Sequence, residues 1–345
     1  MKLSQFARDY LTLGLRINKH IPGYVEHYYG PIDVKQRIDD ETIRSPKKLL
    51  DDCRILIDLL VKQGFEKKRM NFLSKNLLAI ETTLLILNGE YFSYLDKVQK
   101  LFDFKPIFYE DDYFYSLSLK AEKIYKGKVP LNKRIEKYSN RRAIPIELLK
   151  NYFTNAIEIT RKRTNELFPR LLPDNERIFV NEVRDQSWVL YNWYQGNFIS
   201  RLDINISELF YWTYLLDYAC HEAYPGHHTE SSVKDNLLFR KKGYFETTIL
   251  LIYTPEMVIH EGIGRKASSV LFEPFELAQI SKNEFCIKKK LEDPIEEIIK
   301  QDEIRKGFMR LQQNLAYHKY VDHWSDIELI RFMKKLKIIS KEKIE

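Results

Sequence analysis

The sequence predicts a mainly α-helical fold with a small antiparallel β-sheet. Three observations carry this reading. Glycine and proline are scarce, 12 of each in 345 residues, so few breakers interrupt long helices. Apolar residues recur at helical spacing through most of the chain. Only one stretch, SWVLYNWYQGNFISRLDIN at 187–205, is dense in aromatic and β-branched residues around a turn signal. Hydrophobic residues make up 44% of the chain and charged residues 30%, a globular balance with ample material for a core.

The elements follow in order. Ser45-Pro46 reads as an N-cap with proline at the first helical position. Leu49, Leu50, Cys53, Ile57 and Leu60 then keep helical spacing until Gly64. A second helix is expected over about 68–87, closed by Asn88-Gly89, with others from near Tyr91 and Phe114. A long amphipathic helix is expected from Pro145 to about Leu167. The 187–205 stretch reads as a hairpin turning at Gln195-Gly196-Asn197, an edge on which an extended peptide can dock or an ordinary small sheet. Helix is expected again from Ser207 through ELFYWTYLLDYACHEAY, and from Thr254-Pro255 through PEMVIHEGIGRKASSVLF. Ser325-Asp326-Ile327-Glu328 spells a capping box. A helical N-terminal lobe (1–175) and a metal-binding catalytic lobe (176–345) are the expected division, with no linker to prevent one continuous domain.

Lys and Arg number 56 against 49 Asp and Glu, a net charge of +7. Both signs are interspersed, which describes a solvated surface and gives no clear signal for nucleic acid. Three distant cysteines give neither a disulfide framework nor a cysteine-based zinc site. Arg8 and Asp9 interrupt the place where a signal peptide needs an apolar run. Apolar runs such as ILLIY (249–253) are too short to span a bilayer. The expectation is a cytoplasmic protein with no membrane partner.

The chemistry concentrates in CHEAYPGHHTE, 220–230. Two metal-binding histidines on one helix are usually one turn apart, because about 100° per residue aligns i and i+4. Here Pro225 stands at i+4 from His221, and the next histidines are His227 and His228. On a straight helix His227 is about 120° out of line, while His228 is aligned but about 10 Å further along. Pro225 lacks an N–H and its ring clashes with the His221 carbonyl, so the helix must kink or bulge. A two-residue bulge brings His227 to the one-turn position. Glu222 then sits where a zincin keeps the carboxylate that accepts a proton from the attacking water and returns it to the leaving amine. Asp217 is placed to orient His221. A catalytic zinc normally takes three protein ligands, and Glu261, beside His260 on a second helix, is the candidate third. Gly262 and Gly264 favour close approach of that helix. The ordinary alternative for Glu261 is an i,i+4 salt bridge to Arg265. His228 is a fourth ligand, a substrate contact or a buried hydrogen-bonded residue, and His260 a supporting residue behind the ligands. His20, His27 and His323 carry no special signal.

HEAYPGHH, followed by HEGIG at 260–264 and QQNLAYHKY at 312–320, resembles a family of uncharacterised bacterial and archaeal proteins catalogued as domain of unknown function 885. That family is grouped with zincin-like metallopeptidases that use a glutamate as third ligand. The resemblance covers roughly 180–335; Ile263 and Gly264 stand where the family usually has tryptophan and alanine. It implies a helical zincin-like fold and one Zn2+ per chain held by His221, His227 and Glu261. Glu222 would be general base, with Tyr317 either an oxyanion donor or a core aromatic. The implied reaction is hydrolysis of a peptide or small amide substrate. A catalytically inactive metal-binding pseudo-peptidase, a non-peptide amidohydrolase and a nucleic-acid-binding protein with a structural metal are the alternatives.

Overall fold

The computed structural model describes residues 2–286 and 293–338. It is mainly helical. The first helices are α1 (Gln5–Asn18), α2 (Ile32–Asp40), α3 (Pro46–Leu60), α4 (Lys67–Leu87) and α5 (Tyr94–Phe102). They are followed by α6 (Asp111–Ile124), α7 (Leu131–Asn140), α8 (Ile146–Leu167), α9 (Leu215–Glu222) and α10 (His227–Lys234). The last are α11 (Pro255–Leu271), α12 (Pro274–Phe285), α13 (Ile295–Phe308), α14 (Leu311–Tyr320) and α15 (Asp326–Leu336). The boundaries near Pro46, Leu87, Pro145 and Pro255 fall where proline and glycine place them. Ser325 and Glu328 form the reciprocal capping box.

The chain divides into two compact units, and both draw on residues from either side of position 175. The first comprises Met1–Lys105, Ile157–Ser207 and Tyr218–Leu271; the second comprises Pro106–Ala156, Glu208–Asp217 and Phe272–Glu345. The expected cut at 175 is therefore corrected. That cut followed a change in local pattern, whereas compactness is set by contacts between segments distant in sequence.

In the first unit α1, α3 and α4 bury a common apolar core that includes Tyr10, Leu11, Leu49, Cys53, Leu73, Leu77 and Ile80. By length and composition α4 is apolar enough to cross a membrane. Its apolar residues are interrupted by Ser74, Lys75, Asn76, Glu81, Thr82 and Thr83, so it contains no long continuous apolar run. Leu73, Leu77, Ile80 and Leu84 are nevertheless packed into this core, which is reason enough for their apolarity.

The hairpin is present. β3 (Leu190–Tyr194) pairs antiparallel with β4 (Ile199–Asn205), and Gly196 takes φ +77 at the turn, where a Cβ would stand 2.8 Å from that of Tyr29. Two features were not expected. β2 (Arg177–Val183) pairs parallel with β4 and makes this sheet mixed, in the order β2-β4-β3. β1 (Val25–Tyr28) pairs antiparallel with β5 (Ile249–Leu251) in a second sheet. Strands of four and three residues are too short to display an alternating pattern. Helix also does not resume at Ser207. The Ser207 hydroxyl bonds Asp185 instead, Tyr211 bridges Ala143 in extended backbone, and helix begins only with a 3-10 turn at Trp212–Tyr214.

The second unit has two small apolar cores. Phe114, Leu117, Leu311, Phe332 and Leu336 form one, and Ala121, Tyr125, Leu131 and Ile304 the other.

Candidate metal centre

The break between α9 and α10 positions the site. α9 ends at Glu222, the Tyr224–Pro225 peptide is cis, and α10 begins at His227. The helix is thus interrupted, yet the expected two-residue offset is visible in the hydrogen bonds. Gly226 N–H donates to the carbonyl of Cys220 at 2.9 Å and Thr229 N–H to that of Ala223 at 3.2 Å, both six residues back where a helix uses four. Glu230 N–H returns to the four-residue step on Gly226. Gly226 is required in this turn, since a Cβ would lie 1.9 Å from the His221 carbonyl oxygen.

This offset turns His227 towards His221 and His228 away. His227 Nε2 lies 3.0 Å from His221 Nε2. Glu261, on α11, places Oε1 at 3.6 Å from His227 Nε2 and Oε2 at 3.9 Å from His221 Nε2. The donor atoms of the three residues fall within 4.8 Å of one another. Donors about 2.0–2.2 Å from a tetrahedral zinc stand about 3.3–3.6 Å apart; the separations here, 3.0, 3.6 and 3.9 Å, bracket that range, and two imidazoles with a carboxylate are donor types that could hold such an ion. Glu222 is beside it, with Oε1 at 3.9 Å from His221 Nε2. The His227 side chain is 9% exposed and that of Glu261 39%, so the cluster opens to solvent on the Glu261 side. There Arg265 Nε stands 3.9 Å from Glu261 Oε2, so the local ion pair and the cluster share one carboxylate.

The close approach of α11 comes from Gly264 and not from Gly262. A Cβ on Gly264 would meet the His221 ring at 2.8–3.0 Å, whereas nothing lies within 4 Å of one on Gly262. Gly264→Ala is therefore expected to displace the imidazole and weaken zinc binding at least about tenfold. Gly262→Ala is expected to leave binding unchanged and to stabilise the fold by about 0.5–1 kcal/mol. Zinc competition titrations and thermal melts of the two variants check both.

Glu261 is held ionised and His221 neutral, whereas His227 favours its protonated form and must give up that proton before its ring can hold a cation. Burial and the nearby His227 hold His221 down at about 4. The hydrogen bond to His227 lowers Glu261 to about 2. Burial opposes charge on His227, but Glu261 and Glu222 outweigh it and raise its pKa. Burial pushes the Glu222 carboxyl up to about 7; His227 opposes this, and the charges of Glu261 and Glu26 add to it.

His228 faces the opposite way and is fully buried. Its Nδ1 is 2.8 Å from Ser200 Oγ and its Nε2 is 2.9 Å from Glu176 Oε2. Glu176 also accepts from Arg161 at 2.6 Å and from the Tyr224 hydroxyl. Both ring nitrogens are thereby engaged inside the protein, as in the buried hydrogen-bonded alternative. His260 lies against His227, and His227, Glu230 and His260 form a second group whose donor atoms fall within 4.8 Å of one another. The His260 ring stacks on His227 at 3.9 Å and 12°, and its Nδ1 is 2.6 Å from Glu230 Oε2. Lys234 donates to Glu230 at 3.1 Å and to Glu256 at 2.5 Å. Asp217 lies in the second unit, 3.7 Å from Arg305 and 3.9 Å from Lys306. Tyr317, on α14 of the same unit, packs its ring against Phe108 at 3.9 Å.

Four residues of this neighbourhood carried no functional assignment from sequence. Glu230 had a usable signal, one turn after His227 in HHTE. Glu26, Glu176 and Tyr191 come from distant segments and had none.

No protein-family model matches the chain, and neither does any curated protein. Among solved structures, the crystal structure of a "putative lipoprotein" from Colwellia psychrerythraea is similar, with a TM-score of 0.50 at 13% identity. The likeness covers 90% of this chain and 58% of that one. At this identity it speaks for the fold alone.

Proposed function

We propose that the protein is a zinc-dependent hydrolase of peptide or related amide bonds, a zincin-like metallopeptidase. The convergence of His221, His227 and Glu261 from three helices onto one point, with Glu222 beside them, carries this reading. A zinc ion held there would supply Lewis acidity to a water molecule and to a substrate carbonyl.

The chain's own groups do the rest. Glu222 is buried next to the cluster, and Asn192 Nδ2 holds its backbone carbonyl at 2.5 Å. From that place its carboxylate accepts a proton from the attacking water and hands it to the departing amine. His260, held by Glu230, fixes the plane of His227 by stacking. The Glu176 network locks the segment between the two histidines. Gly264 leaves room for the His221 ring.

Metal content and a zinc titration test the first half of the proposal, with one equivalent per chain expected. Glu261→Ala should remain folded and bind zinc at least about tenfold more weakly, a loss of about 1.4 kcal/mol or more. Unchanged affinity would reject Glu261 as a ligand. A panel of peptides and non-peptide amides tests the second half. Zinc uptake without turnover of either class would leave the metal-binding pseudo-peptidase, and turnover of non-peptide amides alone would leave the amidohydrolase.

A further inference from the structure

The β1–β5 ladder slips by one residue beside the metal cluster. Val25 pairs with Leu251 and His27 with Leu250, the adjacent residue, so Glu26 is the extra residue of a bulge. Bulges re-aim a side chain out of the ladder. Glu26 is half-buried on a strand that packs against β3, and its carboxylate interacts with Tyr191 there. The charged groups acting on it are His227 and Glu261 of the cluster, and it acts in turn on Glu222. All of these residues belong to the first unit. β3 is also fixed to the site by the next residue, since Asn192 holds the Glu222 carbonyl.

Zinc accounts for one carboxylate here, and proton transfer for another. Glu261 is a ligand and Glu222 handles the proton. Glu26 is a third acid, and the ion pairs among the described residues give it no lysine or arginine. A half-buried carboxylate near the metal centre, with a phenol beside it and no lysine or arginine paired to it, is complementary to a cation brought by the substrate. Aromatic surface adjoins it. Tyr191 stacks on Trp193 at 4.2 Å and 28°, and Trp188 stands 5.3 Å away, all three partly exposed. Such rings attract an ammonium as well as an apolar side chain.

We propose that Glu26 and Tyr191 form an amine-binding subsite next to the His221–His227–Glu261 centre. The substrate class is then a peptide or amide with a free amino group on the residue whose carbonyl is attacked. The ammonium donates to the Glu26 carboxylate and the Tyr191 hydroxyl, while the Trp188, Tyr191 and Trp193 rings flank that residue's side chain. A blocked or internal residue would leave Glu26 without its cation. This inference rests on the metal-centre reading and deepens it from a peptidase to one acting at an amino terminus.

Calorimetry on the zinc-loaded full chain with leucine hydroxamate and N-acetyl-leucine hydroxamate tests it. Both ligands carry the same chelating group, and only the first has a free amine. The free-amine ligand should bind at least about tenfold more tightly, as one charge-assisted hydrogen bond allows. In Glu26→Gln the ratio should fall to within about twofold. Comparable binding of both ligands to the wild-type chain would overturn the amine subsite and leave the metal centre standing. A ratio that survives in Glu26→Gln would overturn the assignment to Glu26. Failure to take up zinc would overturn the metal-centre reading, and this inference with it.

Discussion

Glu222→Gln is expected to retain one zinc per chain and to lose hydrolysis by about 10²–10⁴-fold. The side chain is buried, and its Oε1 lies 3.9 Å from His221 Nε2, close enough to serve the reacting atoms without belonging to the donor set. Glutamine keeps the shape and cannot accept a proton. The pH dependence should change as well. Burial raises the carboxyl to about 7, and a bound cation draws it down. The ionised form is the acceptor, so turnover of the wild-type chain should fall as pH drops through that lowered pKa. Any residual turnover of the glutamine variant should lack this limb. Zinc analysis and a pH–rate profile decide the matter. A variant that folds but loses zinc would make Glu222 a ligand, and one with full activity would remove it from the reaction.

The helices were legible where local chemistry marks their ends. Ser45-Pro46, Pro255 and the Ser325–Glu328 box sit at helix starts in the structure. The candidate ligands were legible for a related reason. Pro225-Gly226 within HEAYPGHH carries information about register, and the six-residue hydrogen-bond steps at Gly226 and Thr229 are that register. What the sequence could not display is the closure of the site from afar. Glu176 reaches His228 across 52 positions, and Glu26 arrives on a four-residue strand. Neither carries a neighbouring pattern that betrays its role. Ser207 shows the opposite failure. A good N-cap residue was present, but its hydroxyl is committed to Asp185 and the chain after it is held extended by the bridge at Tyr211. Tertiary pairing there overrides local preference.

The sharpest contrast lies between two adjacent histidines. His227→Ala is expected to fold and to lose zinc affinity by about 100-fold or more, since it removes one of three ligands. Its ring touches the cluster through Nε2, and its buried Nδ1 has no hydrogen-bond partner, so its removal strands few groups elsewhere. His228→Ala is expected to bind zinc with little change and to lose about 2–4 kcal/mol of stability. Its imidazole fills a fully buried position between Ser200 and Glu176. Alanine there leaves both without that partner, and Glu176 must keep its charge on Arg161 and Tyr224 alone. Zinc titration and thermal unfolding of the two variants should therefore give opposite phenotypes from neighbouring positions. The reverse pattern would mean that the chain passes the Pro225-Gly226 break in the other register, with His228 facing His221. The same result would then remove His227 from the metal centre and with it the geometry on which the roles of Glu222 and Glu261 depend.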